Sequence, residues 1–171
     1  MKAIKIILGI ISTVAVVFFS TGLIVKETSY STQVKIEKPI ADVFTLFNDP
    51  SKLKEWIPEF KSIDTLEEKP GKTGSTYKII IKNNGQEIVM NEKILAFVPN
   101  EKVTLFYKVG NMLKTDDYVF TSDGEFTIIT NKSTCKSDKY LLSCVFPYFK
   151  SKFKEQNLAY LNNFKALIEK Q

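Results

Sequence analysis

The sequence predicts an α+β fold in which a curved, seven-stranded antiparallel sheet wraps a long C-terminal helix, with one transmembrane helix at the N-terminus. Three observations carry that reading. Between Ser143 and Lys170, Phe146, Phe149, Phe153, Tyr160, Phe164 and Leu167 fall on one side of a helix at about 100° per residue, with Val145, Leu161 and Ile168 beside them. The other side carries Lys150, Lys152, Lys154, Glu155, Asn162 and Lys165, so one face is wet and the opposite face must press on something. Nearly everything from Gly74 to Thr134 alternates between apolar and polar residues as strands do, and supplies that surface. Lastly, Ile6 to Val25 is a run of 20 uncharged residues, about 30 Å long as a helix, which matches a bilayer core.

Taken in order, Lys2 and Lys5 precede the apolar run. The run is longer than the roughly 7–15 residues of a secretory signal core, which favours an uncleaved anchor. Ser20-Thr21-Gly22 keeps a cleaved signal open, and a buried soluble helix is a third option. A short tail with two lysines stays in the cytoplasm under the positive-inside rule, although Lys26, Lys35 and Lys38 weaken the contrast. The expected layout is an anchor over residues 1–27 and a domain over 28–171, single-pass in the cell membrane with the domain on the extracytoplasmic side.

Thr28 to Ile36 reads as a first strand, with Tyr30, Thr32, Val34 and Ile36 on one face. Pro39 then opens a short helix at a position where its missing N–H costs nothing, and Ile40, Val43, Phe44 and Phe47 take the i, i+3, i+4 and i+7 places. Asn48-Asp49-Pro50 stops it, and a turn over Ser51 to Glu55 leads to Trp56-Ile57-Pro58. A meander follows: Lys61–Glu68, Ser75–Lys82, Gln86–Val98, Glu101–Val109, Leu113–Phe120 and Glu125–Thr134. Asn83-Asn84-Gly85, Gly110-Asn111 and Ser122-Asp123-Gly124 supply hairpin turns.

Composition removes several functions. The chain of 171 residues has no histidine, which excludes imidazole-based triads and the commonest zinc and non-haem iron sites. Every one of its 24 basic residues is lysine, so no bidentate guanidinium is available for phosphate or guanine. Setting aside Lys2 and Lys5, 22 lysines face 19 acids, a net of +3 spread among acidic neighbours; nucleic acid is not an expected partner. Cys135 and Cys144 match no metal spacing; they are either two buried thiols or a disulfide closing a small loop. No cofactor or metal is expected.

The strand ending in Val34-Lys35-Ile36, followed by Lys38-Pro39-Ile40-Ala41-Asp42-Val43-Phe44, Asn48-Asp49-Pro50 and Trp56-Ile57-Pro58, resembles the opening of the START-like superfamily, also called SRPBCC or polyketide cyclase/dehydrase and lipid-transport proteins. Gly71 and Gly74 fit its loop before the third strand, Asn91-Glu92-Lys93-Ile94 with Pro99 its fourth strand, and Leu161-Asn162-Asn163-Phe164-Lys165 with Glu169 the end of its long helix. The ordered series, covering about residues 28 to 170, carries the resemblance. It implies a helix-grip fold with a cavity between sheet and helix. It does not imply one activity, since members include lipid carriers, aromatase/cyclases and hormone receptors.

Alternate strand positions decide what lines such a cavity. Tyr77, Ile79 and Ile81 share one face, as do Ile88, Met90, Glu92 and Ile94. Leu105 with Tyr107, or else Phe106, and Tyr118 with Phe120, or else Asp117 with Val119, are open alternatives, because a slip of one residue exchanges them. The expected ligand-binding residues are Trp56, Tyr77, Met90, Glu92, Tyr107, Tyr118, Phe149, Phe153 and Asn157; no catalytic residue is assigned. Glu92 is either a buried weak acid in an apolar row or a surface carboxylate paired with Lys78 or Lys93. Asn157 stands in the aromatic stripe, either bonded to a nearby backbone group or buried water, or pointing into a cavity. Asp116-Asp117 fall on opposite faces and cannot easily act together. The expected function is membrane-tethered binding of a lipid or other small hydrophobic ligand. Two alternatives remain: a cyclase/aromatase-type enzyme using a pocket carboxylate and a tyrosine, and a non-catalytic envelope protein whose cavity is filled by its own phenylalanines.

Overall fold

The computed structural model describes residues 2–170. After helix α1 (Lys2–Ile24) comes strand β1 (Thr28–Ile36), and then two short helices, α2 (Ile40–Phe47) and α3 (Leu53–Trp56), joined by a 3-10 turn. Six strands follow: β2 (Phe60–Glu67), β3 (Thr76–Asn83), β4 (Gln86–Val98), β5 (Lys102–Val109), β6 (Met112–Asp123) and β7 (Phe126–Ser137). The chain ends in α4 (Tyr140–Val145), a 3-10 turn over Phe146–Phe149, and α5 (Lys150–Ile168). The sheet order is β1-β7-β6-β5-β4-β3-β2 with every neighbouring pair antiparallel. The meander from β2 to β7 therefore runs across the sheet in sequence, and α2 and α3 carry the chain from one edge to the other.

Local chemistry sets the boundaries. Pro39 caps α2 with extended backbone, and Asn48 ends it by donating its side-chain amide to the Phe44 carbonyl. Between β3 and β4, Asn84 and Gly85 both take positive φ, as a two-residue hairpin requires. The C-terminal stripe differs from its expected form. Pro147 has no N–H to continue an α-helix, so the segment splits into α4, a 3-10 turn and α5 rather than running as one helix from Ser143. Phe149 then caps α5, off the buried stripe, and is 49% exposed.

One half of the space between α5 and the sheet is packed solid. Phe47 is the hub, with its ring centroid 5.4 Å from Trp56, 5.2 Å from Phe120, 4.9 Å from Tyr118 and 5.4 Å from Phe164. Burying side chains of this size contributes about 1.5–3 kcal/mol each. A smaller cluster of Tyr30, Cys135 and Phe146, flanked by Met112, Leu142 and Phe153, closes the other end. No residue of α1 is buried, so the buried-soluble-helix option does not hold; α1 is long and apolar enough to cross a membrane.

Candidate functional site

Between the two clusters lies a cavity of about 290 Å³. Its floor follows from the register of the sheet. Tyr77 on β3 stands opposite Glu92 on β4, Glu92 opposite Tyr107 on β5, Tyr107 opposite Lys114 on β6, and Lys114 opposite Cys135 on β7. All five face the hollow, because side chains on neighbouring strands at paired positions share a face. Two residues along each strand, Ile79 and Met90 continue the floor on one side, and Leu105 and Asp116 on the other. The roof comes from Trp56 at the end of α3 and Ile57 just after it, and from Phe153, Gln156, Asn157 and Tyr160 of α5.

Eight of the nine expected residues line this space: Trp56, Tyr77, Met90, Glu92, Tyr107, Tyr118, Phe153 and Asn157. Phe149 does not; Pro147 has turned it outward, and it touches the site only through Phe153, ring centroids 6.4 Å apart. Parity is settled in favour of Leu105 with Tyr107 and of Tyr118. Asp117 points to the other face, where Thr104 donates to it at 2.5 Å and Lys102 lies at 3.0 Å.

Glu92 is not the surface partner of Lys78 or Lys93. Lys93 is its strand neighbour and faces the opposite way, and Lys78 stands opposite Asn91. Loss of water around Glu92 raises its pKa, a hydrogen bond from Tyr107 opposes this, and the Asp116 charge adds to it, so the carboxyl is pushed up to about 7. Burial, with the Glu92 charge behind it, holds Tyr107 well above the ordinary phenol range. The pair is a carboxylic acid poised near neutrality beside a protonated phenol.

The ionic centre of the floor is Lys114 and Asp116, which lie 2.7 Å apart. Ser133 donates to the second Asp116 oxygen at 2.6 Å, and Asn131 donates to Ser133 at 3.2 Å. Burial by itself would lower the Lys114 pKa, but the Asp116 charge and hydrogen bond, together with Tyr30 and Tyr118, outweigh it and hold the ammonium above its usual value. Asn157 lines the cavity, and its partners are side chains: its carbonyl oxygen accepts from Thr32 Oγ1, and it is hydrogen-bonded to Tyr118. At the roof, Tyr160 donates to Glu59 at 2.9 Å and accepts from Gln156 at 2.8 Å. Cys135 and Cys144 are both buried thiols, and burial pushes the Cys135 thiol up to about 11.

Lys114, Asp116 and Cys135 were not among the expected site residues. The signal for the first two was present: they alternate with Tyr118, so any reading that turns Tyr118 inward brings them with it. The site can offer hydrogen bonds to a hydroxyl or carbonyl, a proton near neutral pH from Glu92, and wide apolar walls. Among the described residues no group of three His, Cys, Asp or Glu side chains is placed to hold a metal ion.

Residues 27–164 match a family model described as polyketide cyclase / dehydrase and lipid transport. No curated protein matches the sequence. Among solved structures, the di-domain ARO/CYC StfQ from the steffimycin biosynthetic pathway superposes with a TM-score of 0.69 at 14% identity, over 84% of this chain and 52% of that one. A START superfamily protein from Mycobacterium smegmatis gives a TM-score of 0.68 at 12% identity, over 83% of this chain and 97% of the other. Ara h 8.0201 gives 0.67 at 12% identity, over 85% and 99%. At these identities the likeness is one of fold: a helix-grip sheet around a long C-terminal helix.

Proposed function

The chain belongs to the polyketide cyclase / dehydrase and lipid transport family, and from that premise we propose that it is a membrane-tethered receptacle for a small, largely apolar molecule carrying a neutral hydroxyl or carbonyl. The observation that supports this most is the unfilled space beside the Tyr77-Glu92-Tyr107 row. Walls of Ile79, Ile81, Met90, Ile94, Leu105 and Phe153 stabilise an apolar guest by about 25 cal/mol per Å² buried. The charges on the floor neutralise one another in the Lys114–Asp116 pair, so a free carboxylate or phosphate finds no unpaired cation there. A hydroxyl or carbonyl finds Glu92 and Tyr107.

The α1 helix would tether this receptacle to the cell membrane with the domain on the extracytoplasmic side, as the short tail with Lys2 and Lys5 suggests. Organic extraction of the detergent-solubilised full chain, followed by mass spectrometry, tests the reading. The expected result is a stoichiometric neutral amphiphile that is lost when Met90→Trp fills the cavity. A chain that neither retains nor takes up any apolar compound sinks it.

A cyclase-type reaction is the second reading, and Glu92 specifically favours it. A carboxyl with a pKa of about 7, hydrogen-bonded to a tyrosine in a water-poor site, is suited to taking a proton from carbon next to a carbonyl. Glu92→Gln separates the two readings: it spares retention of the ligand and abolishes any turnover of it.

A further inference from the structure

Away from the cavity, α1 meets the domain at α4. The segment Tyr140–Phe149 leaves four large side chains bare: Tyr140 at 44% exposure, Leu141 at 57%, Tyr148 at 58% and Phe149 at 49%. The same segment holds the C-terminal part of α1. Phe18 stacks on Tyr148 with centroids 6.1 Å apart, and Phe19 on Tyr140 at 6.5 Å. Thr21 Oγ1 and the Tyr148 hydroxyl are 3.0 Å apart, and Tyr140 donates to the Phe19 carbonyl. Gly22 lies so close to α4 that a Cβ there would collide with Cys144 Sγ.

The length of the apolar run sets the depth of these contacts. Spanning a core of about 30 Å takes about 20 helical residues, and Ile6–Val25 supplies only that many. Phe18 to Gly22 therefore cannot be spared to stand in water above the bilayer. Phe19 lies six residues before Val25, about 9 Å inside the end of the run. Whatever packs on it shares that depth, which is within the about 5–10 Å reached by interfacial amphipathic helices. Tyrosine is a side chain that settles at this level, with its ring in the acyl region and its hydroxyl toward the headgroups. Lysines border the patch in sequence at Lys26, Lys136, Lys139 and Lys150, none of them ion-paired among the described residues, with Glu27 and Asp138 as the acids between them.

We infer that Tyr140–Phe149 is a lipid-seated foot: Tyr140, Leu141, Tyr148 and Phe149 enter the interfacial layer of the bilayer beside α1, and the lysine border meets anionic headgroups. This rests on the reading of α1 as a membrane anchor. The domain then stands on the membrane in one orientation rather than swinging from a tether, and the Tyr30, Met112 and Phe153 end of the cavity, which packs on Phe146, is the end held next to the lipid.

The test uses the full chain reconstituted in phosphatidylcholine–phosphatidylglycerol bilayers, with or without bromine on the acyl chains near the headgroup. Trp56, the single native tryptophan, is buried in the domain and reports the background. Added tryptophans in Leu141→Trp and Phe149→Trp are expected to lose most of their fluorescence to the brominated lipid. One in Leu66→Trp, 59% exposed on β2, is expected to keep it. Adding Gly22→Leu to Leu141→Trp should part α4 from α1 and restore much of the signal. A chain that resists alkaline carbonate extraction yet shows no quenching at either 141 or 149 overturns the foot and leaves the anchor standing. No quenching combined with cross-linking between copies through position 141 gives the patch to a second protomer, which also overturns it. Release of the chain by carbonate overturns anchor and foot together.

Discussion

Replacing Glu92 with glutamine isolates the one group in the cavity that changes charge near neutral pH. Its pKa rises from 4.5 to about 7 on folding. The folded state thus binds a proton more tightly than the unfolded chain, and stability falls as pH rises between those values. Two and a half units at about 1.4 kcal/mol each come to roughly 3.4 kcal/mol, and water entering the cavity trims this to about 2–3 kcal/mol. The contribution is fully present below pH 4.5 and gone once pH has passed about 7. The chain has no histidine, the side chain whose ordinary charge change would overlap this window. Glutamine keeps the shape, accepts from Tyr107 and carries no charge at any pH. Thermal unfolding of the full chain in detergent should show the wild type losing roughly 2–7 °C between about pH 5.5 and about pH 8, the interval that holds somewhat more than half of the change, at about 2–4 °C per kcal/mol. Glu92→Gln should lose little, and should exceed the wild type at the higher pH. Parallel pH profiles for the two proteins would refute a carboxyl raised by burial, and with it the proton-transfer reading.

Three further substitutions probe other parts of the site. Lys114→Met strands Asp116 in the floor, and urea unfolding should show a loss of about 3–5 kcal/mol, most of it recovered when Asp116→Leu is added. Asn157→Leu removes the partner of both Thr32 and Tyr118 and should lower stability by about 1–3 kcal/mol while shrinking the cavity; uptake of a fluorescent apolar probe by the purified chain would fall with it. Phe164→Ala, in the packed half of the interior, should cost about 3–5 kcal/mol, whereas Phe149→Ala, outside it, should shift unfolding in detergent by no more than about 0.5 kcal/mol.

The strands were legible because period-two alternation and hairpin turns are local signals. Asn83-Asn84-Gly85 marked the β3–β4 turn, and the alternation of Tyr77, Ile79 and Ile81 marked the inner face of β3. Two things were not local. The parity of β5 and β6 depends on cross-strand register, which placed Lys114 and Asp116 inside where composition alone would put a lysine and an aspartate in water. Their mutual pairing makes burial tolerable, and a pair is invisible until both partners are located. The C-terminal stripe hid a break because a helical wheel counts angles and ignores hydrogen bonds: Pro147 satisfies the apolar pattern while interrupting the backbone ladder.

The hollow persists for a reason found in the same residues. Phe47, Trp56, Phe120 and Phe164 form a solid wedge at one end of the sheet, and Tyr30, Cys135 and Phe146 close the other, so α5 is propped at two places and rests mainly on β1 and α3. Between the props the floor is already satisfied without a guest: Lys114 has Asp116, Asp116 has Ser133, and Asn157 has Thr32. Emptying the cavity therefore strands none of these floor groups, and the empty state is not forced to collapse or unfold. A guest competes with the Glu92–Tyr107 hydrogen bond and meets one buried donor without a partner, Trp56 Nε1, while most of what else it gains comes from apolar wall. Affinity should then follow the buried apolar area of the guest, and selectivity should depend on whether one oxygen of it reaches Glu92 and Tyr107.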